Sequence, residues 1–283
     1  MNLLQLKMEK KSTTTTTMKM VAQECPILLM EATSLVCDRS RNMVWVSDFS
    51  SNWIHDLAKD TTRRVTGLPY PLHSAGIQPF TGNFVVKWPF EPITSFFEVK
   101  PNDEEGAVKV DQATRLFSYE STMDSLDYDF HHNGSLYETN SREISMRDQH
   151  GRHLRASVSG DSNRMAILDR SLCPSSSASS MLLVSSLGRR DRMRTFTDQC
   201  QLIHDNHTLQ EWTRDICVNL NGYLFSTLIQ NNLILVYEPR CNFKELARHE
   251  FEQFHEISHL DVTPTNQLVV STDLGITLID CFF

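Results

Sequence analysis

The sequence predicts an all-β protein, a six-bladed β-propeller with four-stranded blades. Two observations predict it: a short phrase recurs along the chain, and its copies are spaced about one blade apart. The clearest copies are Asp215–Thr227, which reads DICVNLNGYLFST, and Leu260–Thr272, which reads LDVTPTNQLVVST. Each has an alternating strand, a polar turn with Asn or Gly, and a second strand that ends in Ser-Thr. Periods of about 40–50 residues with four strands each are typical of propeller blades.

Three weaker copies of the phrase lie at Leu35–Asp48, Ala75–Val86 and Leu126–Tyr137. Successive turn centres are separated by 41, 51, 88 and 44 residues. Because 88 is twice 44, one degenerate blade is expected between the third and fifth blades, at Asp161–Phe196. The repeat therefore predicts six blades. The turn centres used are Asn42, Asn83, Gly134, Gly222 and Asn266.

Alternation of apolar and polar residues between turn signals places the strands within each blade. The first blade is expected at residues 34–38, 43–48, 53–57 and 63–66, and the second at 75–79, 83–87, 95–100 and 107–111. The third is expected at 126–130, 135–139, 143–147 and 153–157, and the fifth at 215–219, 223–227, 233–237 and 244–249. The sixth, at 259–263, 267–272 and 275–281, is one strand short.

A spare apolar segment at Pro26–Glu31 precedes the first blade. An unpaired sheet edge between the terminal blades would be a liability, so we expect Ile27–Met30 to pair with Gly275–Cys281 and close the last blade. The alternative is a lone surface strand. Residues 1–20, rich in Lys, Thr and Met, are expected to form a disordered leader, and residues 21–283 the propeller domain.

Length and composition suit a single large β domain, and no segment has the pattern of a membrane span. The chain has 283 residues, 40% of them hydrophobic, and a net charge of −8. It has no apolar run near 18 residues and no signal-peptide pattern at its start, so we expect a cytoplasmic monomer without membrane contact. The seven widely spaced cysteines favour free buried thiols over a disulfide framework.

Catalytic motifs are missing from the sequence. It contains no G-x-S-x-G, P-loop, H-E-x-x-H, dinucleotide fingerprint or zinc-spaced cluster, so no catalytic residue, metal ligand or cofactor is predicted. One charge cluster stands out in this acidic chain, formed by Arg189, Arg190, Arg192 and Arg194. Guanidinium groups bind phosphate and carboxylate in a bidentate manner, which makes this loop the candidate partner-binding site. The alternative is a solvated hairpin.

Two segments resemble a known family of repeats. The phrase DICVNLNGYLFST, with the following NNLILVYEP, resembles an NHL-type repeat of the NHL/TolB-like propellers. Residues Leu35–Leu57 resemble the first blade of the C-terminal propeller in tripartite-motif (TRIM-NHL-like) proteins. That resemblance implies an interaction domain that binds a protein partner, or RNA. The RING and B-box zinc spacing is not found before Val21, so a non-catalytic interaction module rather than an enzyme is expected.

The alternative function is enzymatic. Metal-dependent lactonase- and esterase-like hydrolases of the gluconolactonase and paraoxonase type hold a divalent ion in the central channel of a six-bladed propeller. Glu, Asn and Asp side chains from different blades bind that ion. Carboxylates that converge on the axis would favour this alternative, whereas a channel lined by Ser, Val and small residues would exclude it.

Overall fold

A computed structural model describes most of the chain after residue 31 and two short segments before it. The described residues are 4–5, 19–24, 32–68, 74–78, 81–87, 91–100, 110–121, 125–131, 133–140, 142–158, 164–168, 181–186, 192–208, 213–229, 232–238 and 244–282. All secondary-structure elements in these residues are β-strands, and none is a helix. The predicted all-β class is therefore confirmed.

The strands are numbered β1 to β25 in chain order, and those after residue 31 are divided into six groups. β1 (Leu4–Gln5) and β2 (Lys19–Glu24) come first. Group 1 is β3 (Ala32–Asp38), β4 (Met43–Asp48), β5 (Asn52–Asp56) and β6 (Thr61–Thr66). Group 2 is β7 (Ser74–Ile77), β8 (Phe84–Lys87), β9 (Ile93–Lys100) and β10 (Val110–Glu120). Group 3 is β11 (Ser125–Phe130), β12 (Leu136–Asn140), β13 (Glu143–Arg147) and β14 (His153–Val158). Group 4 is β15 (Arg164–Leu168), β16 (Met181–Ser186), β17 (Arg192–Thr197) and β18 (Leu202–Thr208). Group 5 is β19 (Thr213–Val218), β20 (Leu224–Leu228), β21 (Leu233–Glu238) and β22 (Lys244–Glu250). Group 6 is β23 (Ile257–Val262), β24 (Leu268–Thr272) and β25 (Gly275–Phe282).

Within each group, neighbouring strands pair in chain order and antiparallel. Groups 3, 4 and 5 are separate four-stranded sheets, whereas groups 1 and 2 join into one eight-stranded sheet through parallel pairing of β6 with β10. Group 6 combines with β2 and β1 into a sheet in the order β1-β2-β25-β24-β23. The described strands therefore form five sheets. The division of the molecule into six four-stranded blades stays a prediction.

The first strand of each group lies at the inside of the molecule. β3 contacts β7, β7 contacts β11, β11 contacts β15, β15 contacts β19, β19 contacts β23, and β23 contacts β3 again. This cycle of contacts returns to its starting strand. The six first strands therefore enclose a central axis.

Apolar side chains are buried between consecutive groups, as the alternation of the strands requires. Six clusters follow the cycle, and one of them joins group 6 back to group 1 through Val269, Ile276, Val44 and Val46. Trp45 of group 1 stacks on Phe84 of group 2 with ring centroids 4.3 Å apart. The core is thus divided among the contacts between groups. The five other clusters lie between groups 1 and 2, 2 and 3, 3 and 4, 4 and 5, and 5 and 6.

The turn residues of the repeat have the backbone conformation that the sequence led us to expect. Asn42, Gly134, Gly222 and Asn266 have φ between 54° and 86°, in the left-handed region that favours Gly and Asn. In the second group it is Gly82 that has positive φ, at 67°, one residue before the predicted centre at Asn83. The recurring phrase therefore marks one kind of hairpin, which joins the first strand of a group to the second.

The strand that extends group 6 is not the one predicted. β25 is flanked by β24 on one edge and by β2 on the other, with Val21 opposite Asp280. An N-terminal strand does pair with β25 as expected, but β2 occupies the edge that was assigned to Ile27–Met30, a segment outside the described residues. The pairing segment begins at Lys19, within the last two residues of the predicted leader. We missed it because Lys- and Thr-rich sequence was taken to indicate disorder.

Two groups differ from the expected outlines. Group 4, expected to be degenerate, has four complete strands, which pair antiparallel. In group 2 the last strand runs over Val110–Glu120, well beyond the predicted end at residue 111. Val110, Asp111 and Gln112 pair with β6, and the part from Gln112 to Glu120 pairs with β9. One strand thus serves two groups, which explains its extra length.

Candidate functional site

The inner strands enclose a cavity of about 420 Å³ on the central axis. Residues of β3, β7, β11, β15, β19 and β23 all contribute to its wall. Such a volume is in the range of small-molecule sites in proteins. The ionisable side chains of the wall, apart from two cysteines and Tyr128, are Asp38, Arg39, Asp127, Asp129, Arg164, Asp215, His259 and Asp261.

Strand periodicity explains why polar groups meet here. Side chains two residues apart on a strand point to the same side, and the pairs Asp127 with Asp129, and His259 with Asp261, have that spacing. Arg164 on β15 and Asp215 on β19 also line the cavity. These side chains all lie on the side of their strands that faces the next group and the cavity.

Four aspartates of this wall make the same two hydrogen bonds. One carboxylate oxygen accepts a hydrogen bond from the N–H of the following residue, and the other accepts one from the innermost strand of the next group. The carboxylates therefore hold the groups together at their inner edges. The bonds between groups are Asp127 to Met165 N at 2.8 Å, Asp129 to Ile167 N at 3.0 Å, Asp215 to Leu260 N at 3.1 Å and Asp261 to Cys37 N at 2.7 Å.

Asp215 lies between a guanidinium and an imidazole. Arg164 Nε is 3.7 Å from Asp215 Oδ1 and donates to the carbonyl of Arg214 at 3.1 Å. His259 Nδ1 is 3.3 Å from Asp215 Oδ2. In the described part of the chain, the other ring nitrogen, Nε2, has no hydrogen-bond partner. Arg164 also faces Asp127, with Nη1 3.9 Å from Oδ1.

The charges of this cluster follow from its surroundings. Burial raises the pKa of Asp215, but Arg164 and His259 outweigh burial, so the pKa of this carboxyl lies below its ordinary value. Burial lowers the pKa of His259, and the nearby Asp215 offsets this only in part. Asp215 is therefore ionised and His259 neutral at pH 7. Since a carboxylate can only accept, Nδ1 carries the imidazole proton and Nε2 is a free acceptor.

Two other carboxyls of the wall titrate near neutrality. Burial raises the pKa of Asp127 to about 7, against the attraction of Arg164. Burial also raises the pKa of Asp129 to about 7, although Arg39 works in the opposite direction. The pKa of Asp261 is raised as well, chiefly by burial. The cavity therefore holds carboxyls that can exchange protons at physiological pH.

Arg39 crosses the hairpin end of the cavity. It follows β3, and its Nε donates to the Val262 carbonyl at 3.3 Å while Nη2 donates to the Val218 carbonyl at 3.4 Å. The same Nη2 is 3.5 Å from Asp261 Oδ1. Arg39 thus links group 1 to groups 5 and 6. Asp38, beside it, is ion-paired to Arg41.

The cysteines and carboxylates of the wall do not form a nucleophile or metal site. Burial and the charge of Asp261 raise the pKa of Cys37 and Cys217 well above the ordinary value, so both thiols stay protonated. Among the described residues, no three His, Cys, Asp or Glu side chains lie close enough to bind one metal ion. The carboxylates do converge on the axis, but not in the arrangement that the metal-dependent alternative requires.

The described half of the predicted arginine cluster is not part of the cavity wall. Arg192 and Arg194 belong to β17, where Arg194 pairs with Val184 of β16, so half of the cluster is strand rather than loop. Arg189 and Arg190 lie outside the described residues. Partner binding by these four arginines stays a prediction.

Comparison with known proteins adds a fold, not a family. No family model matches the chain, and no curated protein matches it. Among solved structures, a β-propeller reported as the structure of a streptogramin B lyase aligns with a TM-score of 0.63 and 10% sequence identity. The alignment covers 93% of this chain and 98% of that one. At this identity the likeness shows the β-propeller fold alone.

This comparison corrects the prediction that the chain is not an enzyme. The prediction rested on the fold being a non-catalytic interaction scaffold, and a propeller of matching extent is a lyase. The fold therefore gives no ground for excluding catalysis. The polar wall of the cavity is also not the lining of Ser, Val and small residues that would have excluded an enzyme.

No described segment forms a helix long and apolar enough to span a membrane.

Sequence reasoning missed every residue of this site. A signal was present, because Asp127, Asp129, Asp215, His259 and Asp261 all lie on first strands of the recurring phrase. These positions were assigned to strands from the sequence, and their polar side chains were given no role. Only the closed cycle of first strands turns these side chains towards a common axis.

Proposed function

We propose that the axial cavity is the active site of an enzyme that acts by acid–base chemistry on a small polar molecule. The observation that carries the proposal is His259, whose Nδ1 faces the ionised Asp215 at 3.3 Å on the cavity wall. The Nε2 atom, which has no partner among the described residues, is then the general base. Asp215 fixes the tautomer and stabilises the imidazolium that forms.

The surrounding groups supply the other requirements of such a reaction. Arg164 lies 3.7 Å from Asp215 and lines the same cavity, so its positive charge can stabilise negative charge that develops on the substrate. Asp127, with a pKa of about 7, can exchange a proton with the cavity at neutral pH.

Turnover by variants of His259 tests this proposal. Purified protein would be incubated with a panel that contains a streptogramin B, small lactones and aromatic esters, and products would be followed by mass spectrometry. His259→Gln should lower the rate about 100-fold or more, because Gln keeps an acceptor but cannot take the proton. His55→Gln is the matched control, since His55 is buried beside Thr62 outside the cavity. Turnover that survives in His259→Gln, or that no panel member elicits, would contradict the proposal.

We also propose that each strand group is one blade, so that the ring has six blades of four strands, with β2 as the fourth strand of group 6. The cycle of contacts among the six first strands and the six apolar clusters support this assignment. An NHL-type origin of the repeat remains part of the proposal. Support for it comes from the shared hairpins of positive φ at Asn42, Gly222 and Asn266.

Binding of a protein partner, or of RNA, is a second candidate function and is compatible with catalysis. It is favoured by the density of positive charge at Arg192 and Arg194, both on β17, next to Arg189 and Arg190 in the sequence. Replacement of all four by Ser should abolish capture of the partner and flatten the salt dependence of binding, with the melting temperature nearly unchanged. Unchanged capture would rule this surface out. A monomeric state and a cytoplasmic location remain predictions.

A further inference from the structure

The charged groups of the axial cavity do not balance. Two guanidinium groups, Arg39 and Arg164, face four carboxyls, Asp127, Asp129, Asp215 and Asp261, while Asp38 already has Arg41 as its partner. These four aspartates come from groups 3, 5 and 6, so they surround the cavity rather than one corner of it. With all four ionised, the wall would carry an excess of two negative charges.

The hydrogen-bonding groups show the same excess of acceptors. Each of the four carboxylates accepts two backbone hydrogen bonds, which leaves lone pairs on both oxygens for a further donor. His259 has a side chain only 9% exposed, and its Nε2 is an acceptor without a partner among the described residues. The arginines donate mainly to backbone carbonyls and to these same aspartates. An occupant of the cavity must therefore bring donors.

From this geometry we infer that the cavity binds an organic cation, an ammonium compound whose N–H groups donate to Asp127, Asp129 and the imidazole of His259. A metal ion does not suit the site, because no three of the described carboxylate, imidazole or thiol groups are close enough to share one. A cavity of about 420 Å³ instead fits a molecule with several carbon atoms between its nitrogens. The inference names the substrate class of the proposed active site. That the bound cation is a substrate depends on the proposed function.

Proton exchange at two carboxyls gives the inference a specific signature. Without a ligand, Asp127 and Asp129 are each about half protonated at pH 7, because their pKa values are about 7. This partial protonation reduces the negative charge of the wall. Asp127 faces Arg164, Asp215 and Asp129, and Asp129 faces Arg39 and Asp261. An added cation favours the ionised form of both. Binding at pH 7 should therefore release up to about one proton in total, half from each carboxyl.

Three probes of the same five-carbon length separate charge from shape. Isothermal titration calorimetry at pH 7 would compare 1,5-diaminopentane, 1,5-pentanediol and glutarate, in phosphate and in HEPES, whose ionisation enthalpies differ. The diamine should bind about tenfold or more tighter than the diol, and glutarate should not bind, because only the diamine offsets the negative wall. The diamine enthalpy should differ between buffers by the proton release. Calcium or magnesium chloride should not compete.

Variants assign the effect to the cavity. Asp127→Asn with Asp129→Asn should weaken diamine binding about tenfold or more and abolish proton release, while the oxygen of each Asn can still accept one of the two backbone hydrogen bonds that the carboxylate accepted. Asp56→Asn with Asp111→Asn removes the same charge from buried residues that are not part of the cavity wall, and should leave binding unchanged. Circular dichroism and melting temperature would verify that each variant is folded.

The outcomes distinguish this inference from the proposed catalysis. His259→Gln keeps an acceptor, so it should retain diamine binding within a few-fold even where turnover is lost. Diamine binding without any His259-dependent turnover would support the cation site and reject the enzyme. Equal binding of diol and diamine, tighter binding of glutarate, no binding of any probe, or diamine binding unaffected by the Asp127 and Asp129 double variant would each overturn the inference.

Discussion

At the scale of single residues, the inner aspartates have two roles that pull in opposite directions. Their carboxylate oxygens accept backbone hydrogen bonds from the next strand group, which holds the ring together. Yet the same burial makes ionisation unfavourable for Asp127 and Asp129, whose pKa values rise to about 7. Such a conflict is common where a protein keeps charge for function rather than for stability.

The raised pKa of Asp127 predicts how stability depends on pH. A carboxyl whose folded pKa, about 7, exceeds its ordinary value of 3.8 binds more protons in the folded state between those values. Its contribution to the free energy of unfolding therefore falls as pH rises from about 4 to about 7. Asp127→Asn, which cannot ionise, should gain stability relative to wild type over this range and level off above it.

Urea denaturation at pH 5, 6, 7 and 8 would measure this difference. Asp148→Asn is the control, because hydrogen bonds from the Arg152 and His150 N–H groups outweigh burial and lower the pKa of Asp148. Its stabilising contribution is lost only below its ordinary pKa, so its difference from wild type should be flat from pH 5 to 8. A flat profile for Asp127→Asn as well would mean that this carboxyl is ionised throughout.

A buried ion pair within group 3, which packs against Tyr119 of group 2, provides a test of buried charge. Arg147 Nε donates to Glu138 Oε2 at 2.9 Å, and the guanidinium lies over the Tyr119 ring at 4.3 Å. Glu138 is 2% exposed and also accepts a hydrogen bond from the Tyr128 hydroxyl at 3.4 Å. Arg147→Ala should lower the free energy of unfolding by about 3–5 kcal/mol, because it leaves a buried carboxylate without its cation.

Chemical denaturation would compare this variant with Lys100→Ala. Lys100 pairs with Glu98 at 2.9 Å, but its side chain is 69% exposed. Its loss should cost less than about 1 kcal/mol. Similar losses for the two variants would contradict the buried-pair account.

At the scale of elements, β2 decides whether the last sheet has a free edge. Its backbone pairs with β25 over six residues, from Lys19 opposite Phe282 to Glu24 opposite Thr277. Removal of β2 would expose the edge of β25, a strand whose Ile276 and Ile279 are buried in the core. An exposed strand edge of this kind recruits other chains.

Two truncations test the role of β2. Deletion of residues 1–24 should lower the melting temperature clearly and promote aggregation, whereas deletion of residues 1–17 should leave both nearly unchanged. Of the described strands, the shorter deletion removes β1 alone, which pairs with β2 through two residues. Light scattering during a thermal melt would report both quantities. Equal behaviour of the two proteins would show that β2 does not protect the edge.

At the scale of the whole molecule, the sequence predicted the strands better than their assembly. The segment 143–147 was predicted with the bounds that the structure has, and the hairpin turns at Asn42, Gly222 and Asn266 were identified from residue type, because positive φ restricts that choice. Local periodicity is sufficient for such elements. The pairing of β2 with β25 joins residues more than 250 positions apart, and nothing local in Lys19–Glu24 indicates it.

The candidate site depends even more on assembly. Asp215 and His259 are 44 residues apart, and Arg164 lies on a third strand. Each residue alone resembles the polar side of an ordinary strand. Their meeting follows from closure of the ring, which places the first strands of all six groups around one cavity. The sequence alone therefore does not show that Asp215, His259 and Arg164 meet at one cavity.

The protonation state of His259 tests the account most directly. Two-bond ¹H–¹⁵N correlation spectra of histidine-labelled protein, recorded from pH 5 to 8, report the tautomer and pKa of each imidazole. We expect His259 to be neutral at pH 7 with its proton on Nδ1 and a pKa below the ordinary value of 6.5, because burial outweighs Asp215. His259→Gln identifies the resonance. A proton on Nε2 in the neutral ring, or a pKa above 6.5, would contradict the account, since Nε2 would then not be a free base in the cavity.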